Sequence, residues 1–349
     1  MKTLRFIGMA LFAVLVCVNF AACSNGENTP TTEEQEFYTV KIGLGGELDV
    51  TYEPLSRSTP NDIYGIQVYS TPDKVLTEGE NVVWAKYAYG LFDDCQNISI
   101  TLMKGYKYRF QATMVVDAKL KIQQSKYTDG TCFFHYPFTV LDTKVSPTKL
   151  TNSFTISSSI YLNQLGNGMT AMGDNLYHPN VERFYGVLEE YTPNENVPAN
   201  INMKRVSFGA KFIIETQEEI DGNLEINIDK GPQMIKSTED ESNVLFDIFS
   251  FSEITEAYDE DDYKEIIPVT FVFHKSDGAT LPLGTHNITY QRNMITVVTV
   301  NVTNMGEDSN IGIIIDETES GDMTENGNND LTIKDGEIVD TNVGTETEG

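Results

Sequence analysis

Apolar and polar residues alternate along most of the chain, and a period of two is typical of β-strands with one buried face. Residues 107–116 show this pattern clearly. One parity is apolar and consists of Tyr108, Phe110, Ala112, Met114 and Val116. The other parity is polar and consists of Lys107, Arg109, Gln111 and Thr113. The same alternation recurs in residues 154–162, 208–214 and 224–229, so strands are predicted in both halves of the chain.

Turn sequences separate the predicted strands, and they are Gly45-Gly46, Asp129-Gly130, Asp221-Gly222 and Asp277-Gly278. Such dipeptides favour the tight turns of β-hairpins. Residues 243–258 offer the one helical pattern of note, although Phe249 and Phe251 fit a strand equally well. Many short strands with regular turns predict an all-β protein built of β-sandwiches.

The composition narrows the class of protein. The 349 residues are enough for two domains of ordinary size. With 24 basic and 52 acidic residues, the chain carries a net charge of -28, which argues against nucleic acid as a partner because phosphates attract clustered Lys and Arg. The sequence contains no nucleotide-binding loop, catalytic signature or zinc-ligand spacing. We therefore expect a protein that binds or assembles, with neither enzymatic activity nor a cofactor.

The pattern is interrupted by Pro193 and Pro198, and this predicts a domain boundary. We expect an N-terminal β-sandwich domain over residues 37–195 and a C-terminal β-sandwich domain over residues 196–315. Residues 316–349 hold 11 acidic residues, one basic residue and no aromatic residue, so they are expected to be an acidic, disordered tail. Within this tail, residues 331–339 alone show strand-like alternation.

The first residues have the features of an export signal. Lys2 and Arg5 precede a short apolar run, and residues 1–22 are predicted to be a lipoprotein signal peptide. Ala21 and Ala22 stand before Cys23 as in a bacterial lipobox, so Cys23 is expected to be acylated, with residues 23–36 as a tether. Simple secretion is the alternative. A lipid-anchored protein on the outer membrane, exposed at the cell surface, is the predicted location.

Two cysteines remain in the predicted mature body. Cys95 and Cys132 could form a disulfide in an oxidising compartment, or could stay as two separate thiols. The acidic residues Asp259, Asp261 and Asp262 crowd into a predicted loop and are a weak candidate for Ca²⁺ binding. A solvated acidic loop explains them better, and otherwise no metal site is expected.

Three aromatic residues suggest a second kind of function. Trp84, Tyr87 and Tyr89 could form a platform on which sugar rings stack. A simpler interpretation is that Tyr87 and Tyr89 share one face of a strand and pack in the core. The platform would fit a glycan-binding outer-membrane lipoprotein of a nutrient-uptake system, which we keep as the alternative function.

Several short segments, in order, resemble the fimbrillin-like surface lipoproteins. They are a hairpin at residues 38–43 and 47–52, the segment PLSR ending at Arg57, the strand NDIYGIQVY at residues 61–69, the segment FYG at residues 184–186, the strand at residues 201–212 that opens with INMKRV, and the segment YQRNM at residues 290–294. These landmarks span most of the predicted mature chain.

This resemblance implies two tandem antiparallel β-sandwich domains of Greek-key, transthyretin-like topology. It also implies a structural or adhesive role at the cell surface, as a fimbrial subunit, tip or anchor protein, with other fimbrial subunits or host and glycan surfaces as partners. In members that polymerise, cleavage after an arginine removes the first strand and opens a groove for a neighbour's strand. Arg57 is the position that matches such a processing site.

Overall fold

The computed structural model describes residues 35–47, 61–74, 81–172, 175–194, 196–216, 220–231, 233–237, 242–304, 311–323, 333–334 and 337–338. The described residues from Phe37 onward form one compact unit. Helix is scarce: α1 spans Ala118–Lys121 and α2 spans Ile254–Asp259. Neither helix is long or apolar enough to cross a membrane, and the described ranges contain no other candidate.

Strands make up most of the described chain, which confirms the all-β fold class. In the first part of the chain they are β1 (Phe37–Gly46), β2 (Ile63–Pro72), β3 (Ala85–Phe92), β4 (Ser99–Met103), β5 (Tyr106–Val115), β6 (Gln124–Lys126), β7 (Cys132–Leu141), β8 (Val145–Lys149), β9 (Thr155–Ile156), β10 (Tyr161–Leu162), β11 (Thr170–Met172), β12 (Asn175–Tyr177), β13 (Arg183–Tyr191) and β14 (Ala199–Arg205). In the second part they are β15 (Ser207–Thr216), β16 (Gly222–Ile228), β17 (Gln233–Ser237), β18 (Val244–Ser250), β19 (Lys264–Lys275), β20 (Thr280–Gln291), β21 (Met294–Asn304), β22 (Ile311–Asp322), β23 (Ile333–Lys334) and β24 (Glu337–Ile338).

The first part is dominated by an eight-stranded sheet in the order β4-β1-β14-β13-β5-β2-β3-β9. A smaller sheet in the order β10-β7-β6, with β8 paired to β7, covers part of it, while β11 and β12 form a separate pair. Phe134 and Phe138 of β7 are fully buried in the same cluster as Ile63, Leu91 and Val115 of the large sheet. The two sheets therefore share a core.

The second part is built of two four-stranded sheets, in the orders β18-β15-β21-β22 and β17-β16-β19-β20. Their apolar faces meet, since the rings of Phe212 and Phe271 approach edge-on with centroids 6.2 Å apart. Strand β14 of the first part ends at Arg205 and β15 of the second part begins at Ser207, so a single residue links them. The domain boundary predicted near residue 195 stays a prediction.

Most strand pairs are antiparallel, as expected, but two are parallel. Strand β1 runs parallel to β14, and β15 runs parallel to β21. Parallel neighbours need long connections along the chain. Strand β1 therefore lies beside a strand more than a hundred residues away, although the sequence pattern alone would place it beside its own hairpin partner.

The buried apolar residues form two clusters. The first, which we call the large-sheet core, lies on one face of the eight-stranded sheet and includes Val40, Ile42, Val68, Tyr108, Phe110, Met114, Phe184, Ala199 and Met203. The second, the central core, runs from the other face of that sheet into the second part and includes Phe208, Phe212, Ile226 and Phe271. Strand β1 contributes only to the large-sheet core.

The structure decides one open alternative in local structure and corrects one expectation. The pattern of residues 243–258 allows a helix or a strand. In the structure β18 covers the first half and α2 only the end, because Phe249 and Phe251 bury their rings beside Phe208. The first residues of the expected disordered tail, Asp316 to Asp322, instead belong to β22, which pairs antiparallel with β21. Backbone pairing with a buried strand thus holds a segment whose composition is unfavourable for folding.

The large-sheet core predicts how substitutions in β5 affect stability. Phe110 is fully buried, whereas Arg109 lies on the other face with its guanidinium 3.0 Å from the exposed Glu189. We expect Phe110→Ala to lower the free energy of unfolding by about 3–5 kcal/mol through lost burial and a cavity. Arg109→Ala should lower it by less than about 1 kcal/mol, because exposed ion pairs stabilise little. Equal losses in urea melts would show that this facing of β5 is wrong.

Candidate functional site

Strand β1 is an internal strand of the large sheet, although it comes from the start of the described chain. It pairs antiparallel with the edge strand β4, with Val40 opposite Ile100, and parallel with β14, with Ile42 beside Ala199. The side chains of Val40 and Ile42 are buried in the large-sheet core, and Leu44 packs against them. The even-numbered residues of β1 therefore face the core, as its alternating sequence predicts.

Gly46 ends the strand in a conformation that other residues rarely adopt, with φ at +83°. A Cβ atom at this position would lie 2.8 Å from the carbonyl oxygen of Met203 and would overlap Oδ1 of Asn202. Because the backbone oxygen cannot move without disturbing β14, a side chain is excluded here. The glycine lets the chain turn sharply and brings the next residue, Glu47, over the end of β14.

The carboxylate of Glu47 joins three parts of the fold. Its Oε2 accepts a hydrogen bond of 2.7 Å from the backbone N–H of Arg205 at the end of β14. Both of its oxygens lie 2.8 Å from Nη1 of Arg292, in the two-residue turn between β20 and β21. One side chain therefore links the first strand to β14 and to the second part of the molecule.

Both arginines at this point are deeply buried. The side chain of Arg205 is 2% exposed and that of Arg292 is 5% exposed, against 26% for Glu47. The guanidinium of Arg205 pairs with Glu182 at 2.8 Å and donates to Oδ1 of Asn293 at 2.6 Å. Arg292 donates to two carbonyl oxygens, those of Arg205 at 3.1 Å and Asp261 at 3.2 Å.

A second ion pair lies at the outer side of the same junction. Lys204 donates to the carboxylate of Asp261 at 2.8 Å and to the carbonyl oxygen of Tyr258 at 2.9 Å. The hydrogen bond and the charge of Lys204 lower the pKa of the Asp261 carboxyl. A lowered pKa means that this pair stabilises the fold at neutral pH and stops doing so as the pH falls through the lowered value. The Asp261 side chain is 79% exposed, so its contribution is small.

We call Glu47, Glu182, Lys204, Arg205, Asp261 and Arg292 the junction cluster. It contains three positive and three negative side chains, so it is neutral within a chain of net charge -28. A cleft of about 470 Å³ opens beside it, lined by residues that include Asn202, Gln291 and Met294. Nearly all of this lining is polar, and the arrangement is suited to holding a carboxylate at the end of an extended strand.

Among the described residues, Asp261 is the sequence-predicted site residue that belongs to the junction cluster. Cys23 and Arg57 both fall outside the described residues, so lipidation and processing there stay predictions. Cys95 and Cys132 are both free thiols, and the proposed disulfide is not formed. The physical reason is their location, because Cys95 packs against the large-sheet core and Cys132 against the central core. Burial raises the pKa of the Cys95 thiol, which favours its protonated form.

The acidic loop is used for contacts within the protein. Asp259 ends α2, while Asp261 follows and contacts both Lys204 and Arg292. In the part of the chain that the structure describes, no three His, Cys, Asp or Glu side chains are grouped so that they could hold a metal ion. Of the three carboxylates suggested for Ca²⁺, one is therefore occupied by two cations of the protein itself.

The aromatic residues proposed as a sugar platform do not act together. Tyr87 donates to the carbonyl oxygen of Thr101 at 2.9 Å and packs edge-on against Tyr108. Tyr89 packs instead against the central core, because a bulge between β2 and β3 changes the facing of the strand. The prediction that Tyr87 and Tyr89 share one face is wrong.

Sequence reasoning did not identify Glu47 as a functional residue, although Arg205 and Arg292 lie in segments that carry the family resemblance. One signal was available: an acidic residue directly after Gly45-Gly46, at the end of an alternating strand. Its two arginine contacts come from residues 158 and 245 positions away along the chain. No local pattern reports contacts of that separation.

No family model matches the chain, and no curated protein matches it. Among solved structures, the chain is similar to the fimbrial anchor protein Mfa2 from Porphyromonas gingivalis, with 11% identity over 81% of this chain and 97% of that chain, at a TM-score of 0.33. The tip fimbrial protein Mfa3 from the same organism has 9% identity over 81% of this chain and 98% of that chain, at a TM-score of 0.29.

A third similar structure comes from Bacteroides eggerthii and is provisionally described as a cell adhesion protein. It has 12% identity over 84% of this chain and 98% of that chain, at a TM-score of 0.33. These structures are fimbrial and adhesin proteins, the same kind that the sequence resemblance indicates. At these TM-scores and identities we draw no functional conclusion from the likeness.

The junction cluster predicts the effect of neutralising Glu47. Glu47→Gln removes the carboxylate closest to the buried Arg292, and we expect the free energy of unfolding to fall by about 2 kcal/mol. Glu189→Gln is the matched control, because it removes an exposed carboxylate that pairs with the half-buried Arg109 and should cost less than about 0.5 kcal/mol. Denaturant melts of both variants measure this, and equal stability would show that Glu47 does not stabilise the junction.

Proposed function

We propose that the protein is a lipid-anchored cell-surface subunit of fimbrial type, which adheres or, once cleavage at Arg57 has separated it from the lipid on Cys23, assembles by exchanging its first strand. The observation that carries this proposal is the position of β1, an internal strand contributed by the start of the described chain. It sits between β4 and β14 and is followed in the chain by residues 48–60, which include Arg57. One cut there would separate β1 from the rest of the sheet.

Loss of β1 would expose groups that proteins normally keep covered. The facing edges of β4 and β14 would present unpaired backbone N–H and C=O groups, and an open edge of this kind pairs readily with another strand. The places of Val40 and Ile42 in the large-sheet core would be open to water. Both effects favour capture of an extended segment from another chain, which is the β-strand addition that many assembling proteins use.

The same geometry supports a role in binding and assembly rather than in catalysis. In the junction cluster the charged groups contact one another and the backbone of neighbouring strands, and Glu47, Arg205 and Arg292 serve to hold β1 in place. We propose that the chain has no enzymatic activity, that its partners are other fimbrial subunits or a host or glycan surface, and that Cys23 attaches it to the outer membrane.

The membrane attachment can be tested directly. If Cys23 carries the lipid, the variant Cys23→Ala has no acyl chains. It should then move from the membrane fraction to the soluble fraction, because the acyl chains provide the stable anchoring. Replacing the adjacent residue, Ser24→Ala, is the control and should leave the protein in the membrane fraction. Intact-mass analysis of membrane-extracted protein that finds an unmodified N-terminus would contradict lipidation.

Strand exchange makes a prediction about the trimmed protein. After proteolysis at Arg57 and removal of the released segment, we expect native mass spectrometry to show that the trimmed protein binds an added peptide of residues 37–47. The variant Arg57→Gln should resist this cleavage, keep its own β1 and bind no peptide. Trimmed protein that is fully folded and binds no peptide would rule out assembly by exchange of β1.

A further inference from the structure

We propose that the groove between β4 and β14 accepts strands of one sequence pattern, and this inference rests on the proposed strand exchange. The pattern is that of Val40, Ile42, Leu44, Gly46 and Glu47: three apolar residues at alternate positions, a glycine two positions later and a carboxylate directly after it. The partner is then a protein segment with these side chains, entering parallel to β14.

The apolar requirement comes from the large-sheet core. Val40 and Ile42 are 2% and 4% exposed, and they lie beside Ile100 of β4 and Ala199 of β14. A polar residue at either position would lose its hydration without a hydrogen-bond partner among these apolar neighbours. The intervening residue Lys41 is exposed, so it places no demand on the sequence.

The glycine requirement comes from the end of β14. A side chain at position 46 meets the backbone of Met203, and the positive φ of this residue is itself unfavourable for other amino acids. The close approach involves main-chain atoms, and for this reason it cannot be relieved by rotating a side chain. Gly43 also lies close to a neighbour, but that neighbour is the exposed side chain of Asn200, which can move.

The carboxylate requirement comes from charge. Without Glu47 the junction cluster holds three positive and two negative side chains, and the exposed Asp261 lies 3.5 Å from Arg292, against 2.8 Å for Glu47. A buried guanidinium that loses its close carboxylate is costly. A strand that supplies a carboxylate at this position is therefore favoured over one that ends in a neutral residue.

The direction of the strand follows from the position of the arginines. Arg205 and Arg292 both lie where β1 ends, and the backbone of β14 fixes the register of the strand through its hydrogen bonds. An antiparallel strand would bring its last residues to the opposite end of the groove. A parallel strand with the pattern of β1 places its apolar residues in the core and its terminal carboxylate on Arg292.

The acidic tail of this chain does not meet the pattern. Residues 331–339 contain apolar residues at Leu331 and Ile333 and a Gly-acid pair at Gly336 and Glu337. In β1 the glycine has the same parity as the apolar residues, whereas in the tail it has the opposite parity. A shift of one residue turns every side chain to the other face of a strand. The occupant is thus a strand of a different subunit rather than the tail of a second copy.

The test uses the full chain with a recognition sequence for a site-specific protease inserted within residues 48–60. After cleavage, β1 stays bound without a covalent link, and a labelled peptide of residues 37–47 is allowed to replace it. Every peptide is amidated at its C-terminus, so that residue 47 carries no carboxylate other than that of its side chain. Unlabelled peptides then compete with the labelled one, and fluorescence anisotropy gives the concentration at which half is displaced. The competitors are the native peptide, Glu47→Gln, Gly46→Ala, the tail peptide 331–339, and Lys41→Gln as the control.

We expect the Glu47→Gln peptide to need roughly ten to a hundred times the concentration of the native peptide. The Gly46→Ala and tail peptides should compete more weakly than the native peptide, while Lys41→Gln should match it within about threefold. Equal competition by the native and Glu47→Gln peptides would overturn the carboxylate rule and leave strand exchange intact. If no peptide binds the cleaved protein, strand exchange is wrong, and the proposed sequence pattern is wrong as well.

Discussion

The carboxylate of Glu47 is the contact on which the rest of the arrangement depends. It accepts a hydrogen bond from the backbone of Arg205 and pairs with the guanidinium of Arg292. It therefore connects β1, β14 and the turn between β20 and β21. Buried arginines are tolerated only with such partners, because an uncompensated buried charge costs several kcal/mol. The junction cluster is therefore neutral only when β1 is in place.

The topology explains why this strand and no other is suited to exchange. Strand β1 is followed in the chain by residues 48–60, which include Arg57, so a single cut there would separate it from the strands that follow. Strand β14 stays paired with β13 when β1 leaves, whereas β4 pairs only with β1 among the described strands and is joined to β5 by the chain.

Local charge and overall charge play different roles in this molecule. The chain is strongly acidic, which keeps the surface soluble and repels nucleic acid and anionic lipid headgroups. The junction cluster, in contrast, concentrates Lys204, Arg205 and Arg292 where β1 ends, and acids that are close in space balance them. Removal of one acid from this place changes the junction cluster from neutral to positive, although the whole chain stays strongly negative.

The sequence by itself determined the strands and their facing. Alternation placed Phe110 inside and Arg109 outside, and Asp129-Gly130 and Asp277-Gly278 marked turns, because side-chain parity and turn geometry depend on neighbouring residues only. The predicted hairpin turn at Gly45-Gly46 is wrong, since both glycines belong to β1 and pair with β14. Tertiary structure decided what alternation leaves open. Burial of Phe249 beside Phe208 places this segment in a strand, where the pattern also allowed a helix. A bulge between β2 and β3 turns Tyr87 and Tyr89 to different faces of the sheet.

The candidate site was decided almost wholly by the tertiary structure. The sequence indicated that a strand lies at residues 38–43 and that Arg57 follows it, but the parallel pairing of β1 with β14 joins segments far apart in the chain. The meeting of Glu47 with Arg205 and Arg292 follows from that pairing. Local patterns arise from interactions within a few residues, whereas a buried ion pair of this separation exists only once the sheets have packed.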